Sequence, residues 1–262
     1  MSGSFEREIE VARRAAATAA KVIAEFARGT RRSWDKAEDS PVTQADLAAN
    51  TAIVKELRDN FPSDLVLSEE SVDAPERASA GRLWIVDPLD GTKEFIEGVP
   101  QYAVSIALTI DGEPVVGVVH NPMAQECFWG ALGQGAYQDD RRLQISTCGA
   151  LADCVMLSSR TEMRRGQVDA YKNRVKEIQP IGSVALKLAW IAAARGDVWL
   201  SMAPKSEWDV CAGHLLVREA GGVFVTFDSG ERRYNQSDIL LQPPMAAGPV
   251  KLVDALRAQD PA

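Results

Sequence analysis

Only four cysteines and two histidines occur in this chain of 262 residues. Cys127, Cys148, Cys154 and Cys211 show no Cys-x-x-Cys spacing, so reduced thiols are expected rather than a disulfide framework. His120 and His214 do not combine with these scattered cysteines into a zinc-ligand set. Long apolar runs are missing too: no stretch approaches the roughly 18 residues that a membrane-spanning helix needs. The first 14 residues mix Glu6, Glu8 and Glu10 with arginines and offer no apolar core of a secretory signal, which points to a cytoplasmic protein. Positive charge is in deficit, with a formal net charge of -8. That balance argues against an extended surface for a nucleic-acid polymer or an anionic membrane. Aromatic residues make up 6% of the chain, and tryptophans such as Trp84, Trp190 and Trp208 read as core rather than as base-stacking platforms. There is no internal repeat and no low-complexity tract.

What remains is an ordinary globular composition, 46% hydrophobic and 25% charged. The length suits one compact domain over 1–262, subdivided near residue 150 into a half at 1–150 and a half at 151–262. Apolar residues at helical spacing from Phe5 to Phe26 predict a helix over 4–28, stopped by Gly29. After the Asp39-Ser40-Pro41 connection, Thr43 can cap a second helix with a stripe of Leu47, Val54 and Leu57, which places Asp46 in its first turn. Short β-like runs follow at Leu65–Leu67, Leu83–Val86, Tyr102–Ile110, Val115–His120 and Gln125–Trp129, punctuated by Gly and Pro. Helices at about 164–177, 183–195 and 209–220 then alternate with strands at Val155–Leu157, Val198–Ser201 and Val223–Phe227. The pattern predicts a layered α/β or α+β protein.

The tract WIVDPLDGT at 84–92 places Asp87 and Asp90 at the end of an apolar strand, followed by a Gly-Thr turn. Two carboxylates at the rim of a core need cations or donors. The Leu89 carbonyl and the amides of Gly91 and Thr92 complete a set suited to a hard divalent ion beside a phosphate. Asp46, Glu69, Glu70 and Asp209 stand where other elements end. Singly, each reads as a cap or a solvated acid. Together they supply what a two-metal site requires, because no single segment can offer enough oxygens. At 182–187, Gly182-Ser183 opens a helix and Lys187 follows four residues on, a spacing that could hold a second phosphate on one face.

In that order, the PVTQAD helix start, the SEE after a strand, DPLDGTKEFI and EWDVCAGHLLVREAGG resemble the inositol monophosphatase superfamily of Mg²⁺-dependent, lithium-sensitive phosphatases. The resemblance spans nearly the whole chain. It implies an α-β-α-β-α layered fold, with an antiparallel sheet in the N-terminal half and a smaller mixed sheet in the C-terminal half. It implies two or three Mg²⁺ ions. Glu69, Asp87 and the Leu89 carbonyl would hold one, and Asp87, Asp90 and Asp209 a second. Asp46 and Thr92 would position the attacking water, with no phosphoenzyme intermediate.

Asp90, Gly91, Thr92, Ser183, Lys187, Glu207 and Asp209 would contact a small phosphate ester. DPLDGTKEFI and PKSEWD look most like the CysQ-type 3′(2′),5′-bisphosphate nucleotidases, which convert adenosine 3′,5′-bisphosphate to AMP. EGVPQYAVSIAL and GVVHNPMAQECFWG look closer to inositol-phosphatase-like members, so inositol 1-phosphate and fructose 1,6-bisphosphate remain open as substrates. A homodimer is open as well. Two readings of other kinds stand beside these: a non-catalytic phosphate-binding protein, and a cysteine phosphatase on the Cys154-x₅-Arg160 spacing. The second has no glycine in its loop and three apolar residues after Cys154, where a buried thiol is inert.

Overall fold

The computed structural model describes residues 4–28, 33–35, 41–227 and 232–258, with backbone only at 28, 33–35 and 41–43. The expected stop at Gly29, the turn at Asp39-Ser40 and the side chain of Thr43 lie outside the described residues.

Helix α1 (Glu6–Arg28) leads to a two-stranded ribbon of β1 (Ser33–Asp35) and β2 (Pro41–Thr43), then to α2 (Gln44–Asn60). A seven-stranded sheet follows: β3 (Leu65–Ser68), β4 (Arg82–Asp90), β5 (Ala103–Ile110), β6 (Glu113–Asn121), β7 (Glu126–Ala131), β8 (Gly135–Gln138) and β9 (Arg141–Arg142), with the short α3 (Thr92–Glu97) after β4. Its strands lie in sequence order, antiparallel from β4 onward, but β3 pairs with β4 in parallel. The first sheet is therefore mixed at one edge rather than wholly antiparallel. The reason is connectivity: the long crossover through 69–81 returns the chain to the same end before β4 begins, which a hairpin cannot do.

The second half contains β10 (Val155–Ser158), α4 (Arg160–Arg164), β11 (Glu177–Pro180), α5 (Val184–Ala192), β12 (Val198–Ser201), β13 (Lys205–Ser206), α6 (Glu207–Glu219), β14 (Val223–Thr226), β15 (Leu240–Leu241), β16 (Met245–Gly248) and α7 (Val250–Arg257). Five of these strands form a smaller mixed sheet in the order β11-β10-β12-β16-β14, and β13 pairs with β15. The helix expected over 164–177 is only α4, followed by turns: Gly166 adopts a left-handed φ of 71° and ends the helical path. β16 was not legible, because Met-Ala-Ala-Gly lacks the β-branched and aromatic residues of a strand. Its small residues answer a packing demand, since a Cβ on Gly248 would lie 2.8 Å from the Asp197 carbonyl.

The layers follow from strand alternation. On β4, Trp84 and Val86 point to α1 and α2, whereas Leu83 and Ile85 point to α5 and α6. Val104, Ile106 and Ala103, Ala107 divide in the same way on β5. The second core cluster reaches across residue 150, joining Leu83 and Ile85 to Trp199, Phe224 and Met245. Beyond the second sheet, Leu252, Val253 and Leu256 of α7 cover Met156 and Leu200. The order is α-β-α-β-α. One detail of α2 differs from expectation: Leu47 is 39% exposed, and the buried face is Ala45, Ala49, Ile53 and Leu57. Small residues face α1 because its own contact stripe is Ala12, Ala15, Ala16 and Ala19, which lets the two helices approach closely.

Candidate metal and phosphate site

Spacing alone would set Asp87 and Asp90 on opposite faces of β4, because side chains three residues apart on a strand point apart. A bulge reverses this. Asp87 pairs with Ser105 and Asp90 with Ala103, so β4 spends three steps where β5 spends two. The extra residue brings both carboxylates to one side. The Leu89 amide donates to Asp87 Oδ1 at 2.9 Å and holds the turn across Pro88. Gly91 then takes a left-handed φ of 96°, where a Cβ would meet the Gln101 carbonyl and Tyr102 at 3.1 Å, and α3 begins at Thr92.

Asp209 arrives from the other half of the chain. Ser105, the register partner of Asp87, donates its hydroxyl to the Trp208 carbonyl at 3.1 Å, which fixes the start of α6 beside β4. Asp209 Oδ2 accepts the Ser206 amide at 2.8 Å, so α6 starts two residues earlier than the sequence suggested and Asp209 sits in its first turn. Carboxylate oxygens of Asp87, Asp90 and Asp209 all lie within 4.8 Å of one another. Among the described residues, no ion pair reaches any of the three. Burial, then the charges of Glu69, Asp90 and Asp209, hold the Asp87 carboxyl well above the usual range. Burial and Asp90 push Asp209 up to about 7. Burial also raises Asp90, partly offset by hydrogen bonds from Ser183 and Ala185 and by the positive charge of Lys187.

The other expected residues surround this centre. Asp46 is 2% exposed, and Thr92 Oγ1 lies 3.1 Å from both Asp46 Oδ1 and the Leu89 carbonyl, so its one proton serves one of them at a time. Glu69 and Glu70 follow β3, with the Glu69 amide bonded to the Val86 carbonyl one residue before Asp87. Glu69 is thereby beside the cluster, as its effect on Asp87 also shows.

Three expected substrate contacts are corrected. Glu207 is fully buried, accepting the amides of Asn235 at 2.7 Å and Gln236 at 3.1 Å and the Arg232 guanidinium at 3.2 Å. It anchors a loop; two positions apart on a helix, Glu207 and Asp209 point about 200° apart. Lys187 is held inside the protein. It is 1% exposed and donates to the carbonyls of Ile181, at 3.1 Å, and Gly182. Burial first, with Asp90 opposing, brings its ammonium down to about 8. Ser183 gives its proton to Asp90 Oδ2 at 2.7 Å. What sequence reasoning missed is the support around these groups: Gln101, Ser105 and Ala185, whose roles depend on pairing across strands.

The remaining candidates settle elsewhere. The Cys154 thiol is buried and pushed up to about 12, first by burial, and Arg160 turns to Glu94 at 3.3 Å and to Gln101. No thiolate-arginine cradle forms. His214 stacks on Phe224 and meets the Tyr234 hydroxyl at 2.9 Å, a core histidine brought down to about 3 by burial and then Arg218. His120 lines a separate cavity of about 530 Å³ between α1 and β6–β7, with Arg13, Cys127 and Trp129. Trp208 is half-buried at the edge of the core.

The donor set fits a hard divalent cation: it is all oxygen, anionic, largely buried and self-repelling. The model of the inositol monophosphatase family matches residues 5–257. This chain belongs to that family. It is 34% identical over 248 residues to the Nus factor SuhB of Pasteurella multocida, covering 90% of this chain and 91% of that one. It is 34% identical over 191 residues to the fructose-1,6-bisphosphatase/inositol-1-monophosphatase of Thermotoga maritima, covering 72% and 73%. The crystal structure of CysQ from Bacteroides thetaiotaomicron, a bacterial member of the same family, aligns with a TM-score of 0.78 at 31% identity over 94% of this chain and 98% of that one. Members of the family are Mg²⁺-dependent phosphatases, and the chain is a hydrolase of this class. No described helix is long and apolar enough to cross a membrane.

Proposed function

We propose that the protein hydrolyses a small phosphate monoester at the centre formed by Asp87, Asp90 and Asp209. The observation behind this is the convergence of three carboxylates, two buried and one half-buried, within 4.8 Å of one another with no ion pair among the described residues. Such a group is stable as anions only around a cation. Asp87, Asp90, Asp209, Glu69 and the Leu89 carbonyl would hold two or three Mg²⁺ ions, a set that Li⁺ would inhibit. A divalent cation there supplies charge stabilisation of the phosphoryl group and acidifies water. The chain's own part is placement. Thr92 Oγ1, oriented by its donation to Asp46, accepts a hydrogen bond from the attacking water and aims it at phosphorus. The amides of Gly91 and Thr92 bind phosphate oxygens. Water attacks directly, and no phosphorylated aspartate accumulates.

For the ester itself, we favour a polyol monophosphate such as inositol 1-phosphate. With Ser183 and Lys187 engaged around Asp90, this chain's own argument for a second phosphate site falls away. A second reading, 3′(2′),5′-bisphosphate nucleotidase, keeps the support of the DPLDGTKEFI and PKSEWD motifs and of the likeness to CysQ. The Nus factor name belongs to the Pasteurella relative; a net charge of -8 gives no support for RNA contact here. The deciding measurement is kcat/KM for inositol 1-phosphate, fructose 1,6-bisphosphate and adenosine 3′,5′-bisphosphate in Mg²⁺. We expect the nucleotide to be poorest. Should it be the best by tenfold or more, the nucleotidase reading replaces ours, and a chain that binds all three without releasing phosphate is a binding protein.

A further inference from the structure

We propose that Ser183 and Lys187 are positioning residues that fix the donor geometry of Asp90, so that Asp90 offers its Oδ1 alone to the divalent cation. This rests on the reading of the acidic centre as a metal site. Asp90 Oδ2 is fully engaged: it accepts the Ser183 hydroxyl at 2.7 Å and the Ala185 amide at 2.6 Å. These donors leave Oδ1 as the oxygen free to face Asp87 and Asp209. Ser183 has one hydroxyl proton, and its direction is set because its oxygen also accepts the Leu186 amide at 2.9 Å at the start of α5. Ala185 belongs to the first turn of α5, where amides have no partner within the helix.

The turn that presents both donors is clamped from two sides. Gln101 accepts the Ser183 amide through its carbonyl at 3.2 Å and the Gly182 amide through Oε1 at 3.1 Å. Packing there is so close that a Cβ on Gly182 would fall 2.4 Å from the Gln101 carbonyl. From inside, the Lys187 ammonium draws in the carbonyls of Ile181, at 3.1 Å, and Gly182. With both carbonyls turned toward Lys187, the peptide planes of the turn are set, and Ser183 and Ala185 point at Asp90. A buried ammonium bonded to neutral carbonyls is costly as a stabilising device. Its return here is the orientation of a carboxylate by its outer partners, an effect typically worth 10–100-fold in metal affinity.

The test is calorimetric titration of the metal-free full chain with Mg²⁺ alone, for wild type, Ser183→Ala and Lys187→Met, with melting curves recorded in EDTA. Both variants should weaken the Mg²⁺ Kd by roughly 10–100-fold, while saturating Mg²⁺ restores most of kcat. A lower melting temperature with an unchanged Kd makes the two residues structural only, and overturns the inference. If Lys187→Met does not fold, Ser183→Ala, which removes a single hydroxyl, decides alone. Wild-type protein that binds no Mg²⁺ overturns the phosphatase reading and this inference with it; wild type that binds, with variants that bind equally well, overturns only this inference.

Discussion

Two groups of buried acids sit at the two sides of the same helix start, and they differ in how their charge is answered. Glu207 is surrounded by the amides of Asn235 and Gln236, by Arg232 and by Arg77, whose own guanidinium is gripped by Asp73 at 2.6 and 2.9 Å. Two residues on, Asp209 joins Asp87 and Asp90, where each carboxylate accepts a neutral donor but no ion pair is formed among the described residues, and the three oxygens crowd within 4.8 Å. The first group is complete within the chain and ties the 232–236 loop to α6. The second, in the function we propose, is completed by a divalent cation. Buried charge by itself does not mark a site; several carboxylates converging without an ion pair make a candidate one.

Opposite responses to neutralisation would sharpen that contrast. Asp87→Asn should lower kcat/KM by about 10³-fold, or about 4 kcal/mol. The same change should raise the melting temperature of the metal-free protein, because it removes a repelling charge. Wild-type activity in Asp87→Asn would remove Asp87 from the site. Glu207→Ala should do the reverse: a loss of about 3 kcal/mol in denaturant unfolding, as expected when one partner of a buried ion pair is deleted, with the Mg²⁺ Kd unchanged. A tenfold weaker Mg²⁺ Kd in that variant would show that the two groups are not separate.

Mg²⁺ at a hundred times its Kd should stabilise the wild type by about 2.7 kcal/mol against EDTA. In Asp87→Asn the gain should largely vanish. Acid gives the smallest effect, and it comes from a third buried group. His214 titrates at about 3 in the folded chain, against about 6.5 when unfolded. Below 6.5 the unfolded state binds the extra proton, so this contribution is intact above 6.5 and is lost as pH falls toward 3. Between pH 6.5 and 5 it amounts to about 2 kcal/mol. Stability curves of His214→Gln over that range should be flatter than those of the wild type by this amount, and identical slopes would count against a neutral core histidine.

Much of the site was legible because its chemistry is local in sequence. Asp87-Pro88-Leu89-Asp90-Gly91-Thr92 carries two acids, a turn and a hydroxyl in one tract, and Asp46 and Asp209 declared themselves as first-turn acids of helices. The misreadings share one cause. Lys187 was taken as a substrate contact from its spacing to Ser183 along a helix and Glu207 from the family resemblance, yet neither a helix period nor a motif fixes what a side chain meets. Likewise β16 hid behind small residues that only close packing explains, and Leu47 looked like core because the alanines that in fact form the α1–α2 contact carry so weak an apolar signal.

The sequence by itself determined the family, the layered order of helices and strands, and the identity of the acids, because apolar period and motif chemistry are written residue by residue. Tertiary structure alone decided which acids meet. The bulge that turns Asp87 and Asp90 to one side depends on how β4 pairs with β5. The arrival of Asp209 depends on Ser105 holding the Trp208 carbonyl across a sequence separation of 103 residues. Such contacts are set by long-range pairing and packing, which no local pattern encodes, and they separate an acid that binds a loop from acids gathered into one cluster.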